Sequence, residues 1–178
     1  MKDLANLALD TARSLDVQYA DIRIISYHRQ NISTEDQRVS GINDNQNFGF
    51  GIRVIKNGAW GFASDSKVNR EQIQDTAKLA VKIAEASSTV MDKPVQLVPE
   101  PAHNDEFVSP HKIDPFEVEI DEKTGLLLEI NRRLLSHDEI KKANGYMTFR
   151  KTDRFFANTD GSYLKSLVIT SGVQYQAT

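Results

Sequence analysis

The sequence contains no cysteine, and its 178 residues carry a net charge of only -3. Without cysteine, the chain can form neither disulfides nor a thiolate-based zinc site. The weakly acidic balance gives no electrostatic case for nucleic-acid binding. No run approaches the roughly 18 apolar residues of a membrane span, and the amphipathic N-terminus lacks the apolar core of a signal peptide. These absences favour a soluble, cytoplasmic protein that binds neither nucleic acid nor a membrane.

Histidine is scarce, and the histidines do not form a zinc-peptidase motif. None is followed by Glu, and no two are four residues apart, the spacing with which a helix holds zinc beside a water-activating glutamate. The four are His28, His103, His111 and His137. A loop metal site that combines His103 and His111 with Asp105 and Glu106 stays a minor alternative, because zinc ligands need rigid support. The sequence therefore predicts no catalytic residue and no metal ligand here.

A hydrolytic triad is also disfavoured. Ser26 and His28 would share one face of a predicted strand that also carries Asp21. No nucleophile elbow or oxyanion turn accompanies them.

All five prolines lie in one part of the chain, between residues 92 and 115. This concentration predicts a long surface connection. Such connections are uncommon unless they are functional or separate two subdomains. With 39% hydrophobic residues, the chain can build a core for one domain or for two small ones. A division into residues 1–91 and 116–178, joined by 92–115, is one interpretation.

Apolar periodicity predicts an α+β fold, with long helices packed on a mainly antiparallel sheet. Helical spacing predicts helices over residues 2–15, 69–87 and 116–136, the second of them opened by a capping-box pattern of Asn69 and Gln72. Alternation predicts strands over residues 19–33, 37–42, 48–55, 59–63, 140–151, 154–158 and 162–178, with a polar loop at 43–46 and a turn or bulge at 144–145.

The most informative stretch covers residues 47–64, Asn-Phe-Gly-Phe-Gly-Ile-Arg-Val-Ile-Lys-Asn-Gly-Ala-Trp-Gly-Phe-Ala-Ser. Its alternation predicts two strands, and Asn57-Gly58 is the strongest short signal for a hairpin turn because both residues tolerate positive φ. Glycines inside strands cost backbone entropy and indicate a bulge or the close approach of another backbone.

The same residues resemble the signature G-x-G-[IV]-R-V…G-x-x-G-F-A-[ST] of the TldD/PmbA family. These proteins are also called modulators of DNA gyrase, and the family contains zinc metallopeptidases. Further similarity lies in Ala20–Arg23, in the helix from Asn69, and in the Asn158–Gly161 turn. The resemblance implies that residues 1–178 form the N-terminal domain. It also implies that the zinc motif His-Glu-x-x-x-His belongs to a C-terminal catalytic domain absent from this chain.

The function implied by the resemblance is that of a cytoplasmic zinc-dependent hydrolase, a peptidase that cleaves extended peptides in proteolysis and peptide maturation. This chain would be its non-catalytic part, contributing substrate cleft and dimer surface, in a homodimer or with a related subunit. Zinc is expected in the missing domain if the parent is of the catalytic type. The alternative is a stand-alone protein-binding or regulatory domain of the gyrase-modulator type, without enzymatic activity.

The signature residues have two interpretations. In the structural one, which we favour, Gly49 and Gly51 let a long helix pack on the sheet, and Arg53 forms a cap or pairs with an acidic residue. In the functional one, the strand borders a cleft in which an extended peptide adds as a further strand. The cleft candidates are Gly49, Gly51, Arg53 and Gly61, and the residues with a structural role are Gly58, Trp60, Asn158 and Gly161.

Overall fold

A computed structural model describes all 178 residues of the chain, Met1–Thr178. The fold is α+β, with three helices and one sheet of six strands. The elements in chain order are α1 (Lys2–Arg13), β1 (Tyr19–Glu35), β2 (Arg38–Lys56), β3 (Ala59–Asp65), α2 (Arg70–Ser88), β4 (Asn104–Val108), α3 (Ile120–Leu135), β5 (Ala143–Asn158) and β6 (Tyr163–Ala177).

The strands are arranged in the order β3-β2-β1-β5-β6-β4. Four of them are long, and each contributes residues to both of two compact units. Unit 1 comprises Met1–Ser26, Asn47–Phe107 and Asp153–Ser166, and unit 2 comprises Tyr27–Gln46, Val108–Thr152 and Leu167–Thr178. The boundaries of these units fall at other positions than the subdivision suggested by the proline-rich segment.

The core of unit 1 lies between its helices and one face of its strands. Ile22 and Ile24 of β1 and Ile52 of β2 are buried there with small residues of the helices. These residues alternate along the strands, so one strand face meets α1 and α2 while the other points away from both helices. Asn69 caps α2 by accepting a hydrogen bond from the Gln72 backbone N–H at 2.9 Å, as the sequence predicted.

The core of unit 2 is smaller and is built around α3. Leu127 packs there with Ile32, Met147 and Phe149 from the strands. The fully buried Asn131 donates hydrogen bonds to backbone oxygens that include that of Asp36. The polar interior side chain thus satisfies backbone groups where β1 ends.

The predicted β2–β3 hairpin is confirmed. Lys56 pairs with Ala59 across the turn, and Asn57 and Gly58 both have positive φ, 50° and 76°. A second predicted hairpin, between β5 and β6, is also confirmed, and Gly161 in its turn has a φ of 95°. Both turns place residues in the left-handed region where a side chain is disfavoured.

Several predicted breaks are wrong. The expected loop at residues 43–46 lies inside β2, the expected gap at 152–153 lies inside β5, and Asn144-Gly145 is ordinary strand. Gly145 has a structural reason for lacking a side chain, because an added Cβ would lie 2.7 Å from the Thr34 hydroxyl. The segment at 92–115 contains one strand, β4, which the sequence did not predict.

No helix combines the length and the apolar character needed to cross a membrane.

Candidate functional site

The face of the unit 1 sheet that points away from α1 and α2 is here called the outer face. It carries Asp21 and Arg23 on β1 and Arg53 on β2, which alternate with the core residues named above. Trp60 and Phe62 continue it on β3, since Arg53 pairs with Phe62 and Ile55 with Trp60. Tryptophan, tyrosine and arginine dominate the energetics of protein interfaces, so this face has the composition of a binding surface.

Arg53 is fixed by a bidentate ion pair with Asp21. Its Nε lies 3.0 Å and its Nη2 lies 2.6 Å from Oδ2 of Asp21. The Asp21 side chain is only 1% exposed, whereas that of Arg53 is 36% exposed. The buried Asp21 carboxylate therefore holds the Arg53 side chain in place and leaves part of its guanidinium exposed to a ligand.

Two aromatic rings flank this pair. The Arg53 guanidinium lies 5.0 Å from the centre of the Trp60 ring, a cation–π distance. Tyr19 meets Trp60 edge to face, with ring centres 5.9 Å apart. The four side chains hold one another in a single arrangement on the outer face.

The electrostatics of this cluster follow from its burial. Removal from water, together with the negative charge of Asp21, raises the pKa of Tyr19 to about 12. The hydrogen bonds that Arg53 donates to Asp21 raise the pKa of the guanidinium. Tyr19 is thus a neutral hydrogen-bonding group and Arg53 a permanent cation.

The signature glycines have different neighbours. An added Cβ on Gly61 would lie 2.0 Å from the Ala80 carbonyl oxygen of α2, so this residue, a cleft candidate from the sequence, lets the helix approach the sheet. The structural interpretation assigned that role to Gly49 and Gly51, but these two glycines approach β3 instead. An added Cβ on Gly51 would meet the Phe62 ring at 2.9 Å. Gly49 and Gly51 therefore leave room for the backbone of β3 and for the Phe62 ring beside Arg53.

A groove continues the outer face toward the other end of the sheet. It has a volume of about 440 Å³, and here it is called the Arg23 groove. Its lining comes from four strands and consists of Arg23, Asp105, Phe107, Arg154, Phe156, Leu164, Lys165 and Ser166. Nothing in the local sequence of any one strand indicated this groove, because the strands that form it are far apart along the chain.

Unit 2 holds a second cavity, of about 480 Å³, lined largely by apolar side chains and by Lys123. Lys123 is only 5% exposed, and its Nζ donates a 2.7 Å hydrogen bond to Gln30. Burial lowers the pKa of this ammonium. Burial alone would raise the pKa of Asp44, but hydrogen bonds from Gln30 and His28 outweigh it and lower the pKa. Sequence reasoning missed this lysine, which lies on a helical stripe among apolar residues.

The histidines are engaged individually. The His28 side chain forms a hydrogen bond with Asp44 and packs against Phe116, with ring centres 3.9 Å apart. Asp21 is paired with Arg53 instead, so Ser26, His28 and Asp21 do not form a triad. His111 bonds the Ser109 carbonyl oxygen, and His103 bonds through its backbone. No group of three or more His, Cys, Asp and Glu is gathered as a metal site would require. These residues do not fit a zinc ion.

The remaining signature residues support turns. The side chain of Asn158 accepts a hydrogen bond from the Ser162 backbone N–H at 2.8 Å, which closes the turn that contains Gly161. At the other hairpin, the Gly58 backbone N–H donates to the Gln18 side chain at 2.7 Å. Trp60 belongs to the cluster around Arg53, as described above.

Part of the chain is similar to a known protein family. Residues 20–84, which include β1, the hairpin and most of α2, match the sequence model of PmbA/TldA metallopeptidase domain 1. This part of the chain is therefore similar to the first domain of TldD/PmbA proteins. The chain is also 27% identical, over 157 residues, to a metalloprotease of Methanocaldococcus jannaschii.

Solved structures share the fold of this chain. A candidate modulator of DNA gyrase from Bacteroides thetaiotaomicron matches 99% of the chain with a TM-score of 0.80 and 15% identity, over 40% of its own length. A second such protein, from Thermotoga maritima, gives 0.70 and 13% over 43% of its length. TldE from Thermococcus kodakarensis gives 0.58 and 14% over 42% of its length.

The relatives are much longer than this chain. The match with the archaeal metalloprotease covers 88% of this chain but only 34% of the relative. The chain thus spans about a third of the length of the curated relative it matches.

Proposed function

We propose that this chain is a TldD/PmbA-type domain and a non-catalytic part of a zinc-dependent peptidase, in which its outer face forms one wall of the peptide-binding cleft. The observation that carries the proposal is the joint position of the family signature and the open surface. Gly51, Arg53 and Trp60 belong to the matched residues 20–84, and they lie on the face that the helices of unit 1 leave free.

Chemistry and shape support this role. Gly51 lets the Phe62 ring lie flat beside Arg53, so the two side chains together offer an aromatic and a cationic contact to a peptide. Arg53 is anchored by Asp21 and offers the rest of its guanidinium to a peptide carbonyl or carboxylate. The hydrolytic zinc would be held outside this chain. The same surface, or a free sheet edge, would serve contact with a second copy or a related subunit.

The test uses the full-length natural protein and a peptidase assay, with zinc measured by elemental analysis. Phe62→Ala removes a 55% exposed ring from the outer face, and Leu79→Ala removes a 51% exposed side chain from α2. We expect Phe62→Ala to raise KM about fivefold or more, the order of effect of losing one apolar contact, with zinc content unchanged. Leu79→Ala is the matched control and should leave both KM and kcat unchanged.

Two variants in the signature extend the test. Gly51→Val displaces the Phe62 ring beside Arg53, and Arg53→Ala removes the cation. Both should impair peptide cleavage. Because Arg53→Ala leaves Asp21 buried without its partner, its thermal unfolding must be measured alongside. Normal turnover by a stably folded Gly51→Val protein together with normal turnover by Phe62→Ala would contradict the proposal.

A second function has independent support from the outer face itself. Exposed aromatic and arginine side chains also suit a protein-binding domain without enzymatic activity, and two structural relatives are described as candidate modulators of DNA gyrase. Absence of zinc and of peptidase activity in the full-length protein, with Phe62→Ala abolishing a protein contact, would favour this regulatory role over the first.

A further inference from the structure

The Arg23 groove contains two arginines that the protein itself leaves without partners. Neither Arg23 nor Arg154 forms an ion pair, and neither donates a side-chain hydrogen bond. Arg23 is positioned by the Phe156 ring, with its guanidinium 5.4 Å from the ring centre. By contrast, the third cation of the lining, Lys165, bonds Glu106 at 2.7 Å. The two free guanidinium groups are therefore the groove's unsatisfied donors.

The chemistry of these donors indicates an anionic ligand group. A guanidinium presents several N–H donors in a planar fork that matches a carboxylate. Only one carboxylate, that of Asp105, belongs to the lining. The local excess of positive charge is opposite in sign to the whole chain, whose net charge is -3.

The other walls of the groove are apolar. Phe107 and Leu164 line it beside Phe156, and Phe107 is 56% exposed. The volume of about 440 Å³ lies within the range of ligand pockets, roughly 300–1,000 Å³. It suits one apolar side chain and one acidic group together.

The groove ends at a free edge of the sheet. Strand β4 is the last in the order and pairs only with β6, and all five of its residues are exposed. The groove is therefore open at one end, so an extended peptide can enter along it. Alternate side chains of an extended peptide project to one face, so residues two apart can contact the groove together.

We propose that the Arg23 groove binds an extended peptide segment through an acidic side chain, held by Arg23 and Arg154, and an apolar side chain two residues away, packed on Phe107 and Phe156. The proposal rests on the peptide-binding role proposed above and defines which peptides the domain prefers. It requires neither zinc nor cleavage.

The test measures binding of short fluorescent peptides to the purified 178-residue chain by anisotropy. All peptides are capped at both ends, and one carries Glu two residues before Phe while a second carries Gln in place of Glu. We expect the Glu peptide to bind about tenfold more tightly, the value of a charge-assisted hydrogen bond. Arg154→Gln and Arg23→Gln should each reduce this ratio to near one.

A matched control comes from the same strand. Arg150 on β5 is also exposed and has no ion pair, and Arg150→Gln removes the same charge at a site away from the groove. The ratio should be unchanged in this variant. Since Arg154 makes no contact that its replacement would break, far-UV circular dichroism and thermal unfolding should match those of the unmodified chain.

Three outcomes would overturn the proposal. The first is equal binding of the Glu and Gln peptides, and the second is an Arg150→Gln effect as large as that of Arg154→Gln. The third is tight binding of an uncapped Gln peptide through its free C-terminal carboxylate, which would assign the groove to chain ends. Discrimination that depends on Arg154, found in a full-length protein without peptidase activity, would retain this groove while refuting the peptidase role.

Discussion

Two glycine-to-alanine changes should have opposite effects on stability. Gly61 lies against α2, and an added Cβ would come within 2.0 Å of the Ala80 oxygen and 2.6 Å of the Ala84 nitrogen. Both are backbone atoms of a packed helix, so α2 would have to move away from β3. Gly125 lies exposed within α3, and a Cβ there would meet nothing within 4 Å.

The magnitudes follow from these distances. Overpacking costs about 1–3 kcal/mol and occasionally more, and the severity of the clash at Gly61 places it at the upper end. Alanine also makes the unfolded chain less flexible, which stabilises the folded state by about 0.4–1 kcal/mol and offsets part of the clash. Gly61→Ala should therefore destabilise the protein by about 2 kcal/mol. Gly125→Ala has no such clash and replaces glycine in a helix, which should stabilise the protein by about 0.5–1 kcal/mol.

The assay is urea unfolding followed by far-UV circular dichroism, with both variants measured against the unmodified chain. The transition midpoint should fall for Gly61→Ala and rise for Gly125→Ala, while the dependence of the unfolding free energy on urea stays constant. An unchanged midpoint in Gly61→Ala would refute the close helix–sheet approach. A lower midpoint in Gly125→Ala would show that the glycine of α3 has a role that its open surroundings do not reveal.

Two further predictions concern the helix cap and the buried tyrosine. Asn69→Ala removes the side chain that caps α2 and should lower the unfolding free energy by about 1 kcal/mol, whereas Asn69→Asp, which keeps a capping oxygen, should lower it less. Burial raises the pKa of Tyr19 to about 12. The tyrosine hydroxyl therefore loses its proton near pH 10 in the unfolded chain but keeps it in the folded chain. The free energy of unfolding should therefore fall between pH 10 and 12. Tyr19→Phe should make this alkaline loss smaller, and equal slopes for the two proteins in pH-dependent urea titrations would contradict the assigned environment.

Local sequence chemistry predicted the parts of the fold that local forces determine. The Asn57-Gly58 turn, the cap at Asn69 and the alternation in β2 each depend on residues close together in sequence. The predicted loop at 43–46 failed because polarity was interpreted as a sign of a turn. In the structure, Asp44 of that segment instead contacts His28 and Gln30 of β1, so its polar side chains pair across strands.

The candidate site was only partly predictable. The sequence indicated that Arg53 would pair with an acid, but not that the partner is Asp21, 32 residues away. The Arg23 groove had no sequence signal, because Arg23 and Arg154 meet only after β1 and β5 lie side by side. Likewise, the stripe that contains Lys123 is typical of an ordinary amphipathic helix, and only the packing shows that its amine is buried.

The position of β5 next to β1 has a consequence for how the chain folds. Ala20 and Thr159 exchange hydrogen bonds although they are 139 residues apart. The β1–β2–β3 meander and α2 can assemble from contacts between near neighbours in sequence, whereas the middle of the sheet must wait for a long loop to close. Until β5 arrives, one long side of β1 presents unpaired backbone groups to other chains. Aggregation during refolding should therefore depend steeply on protein concentration.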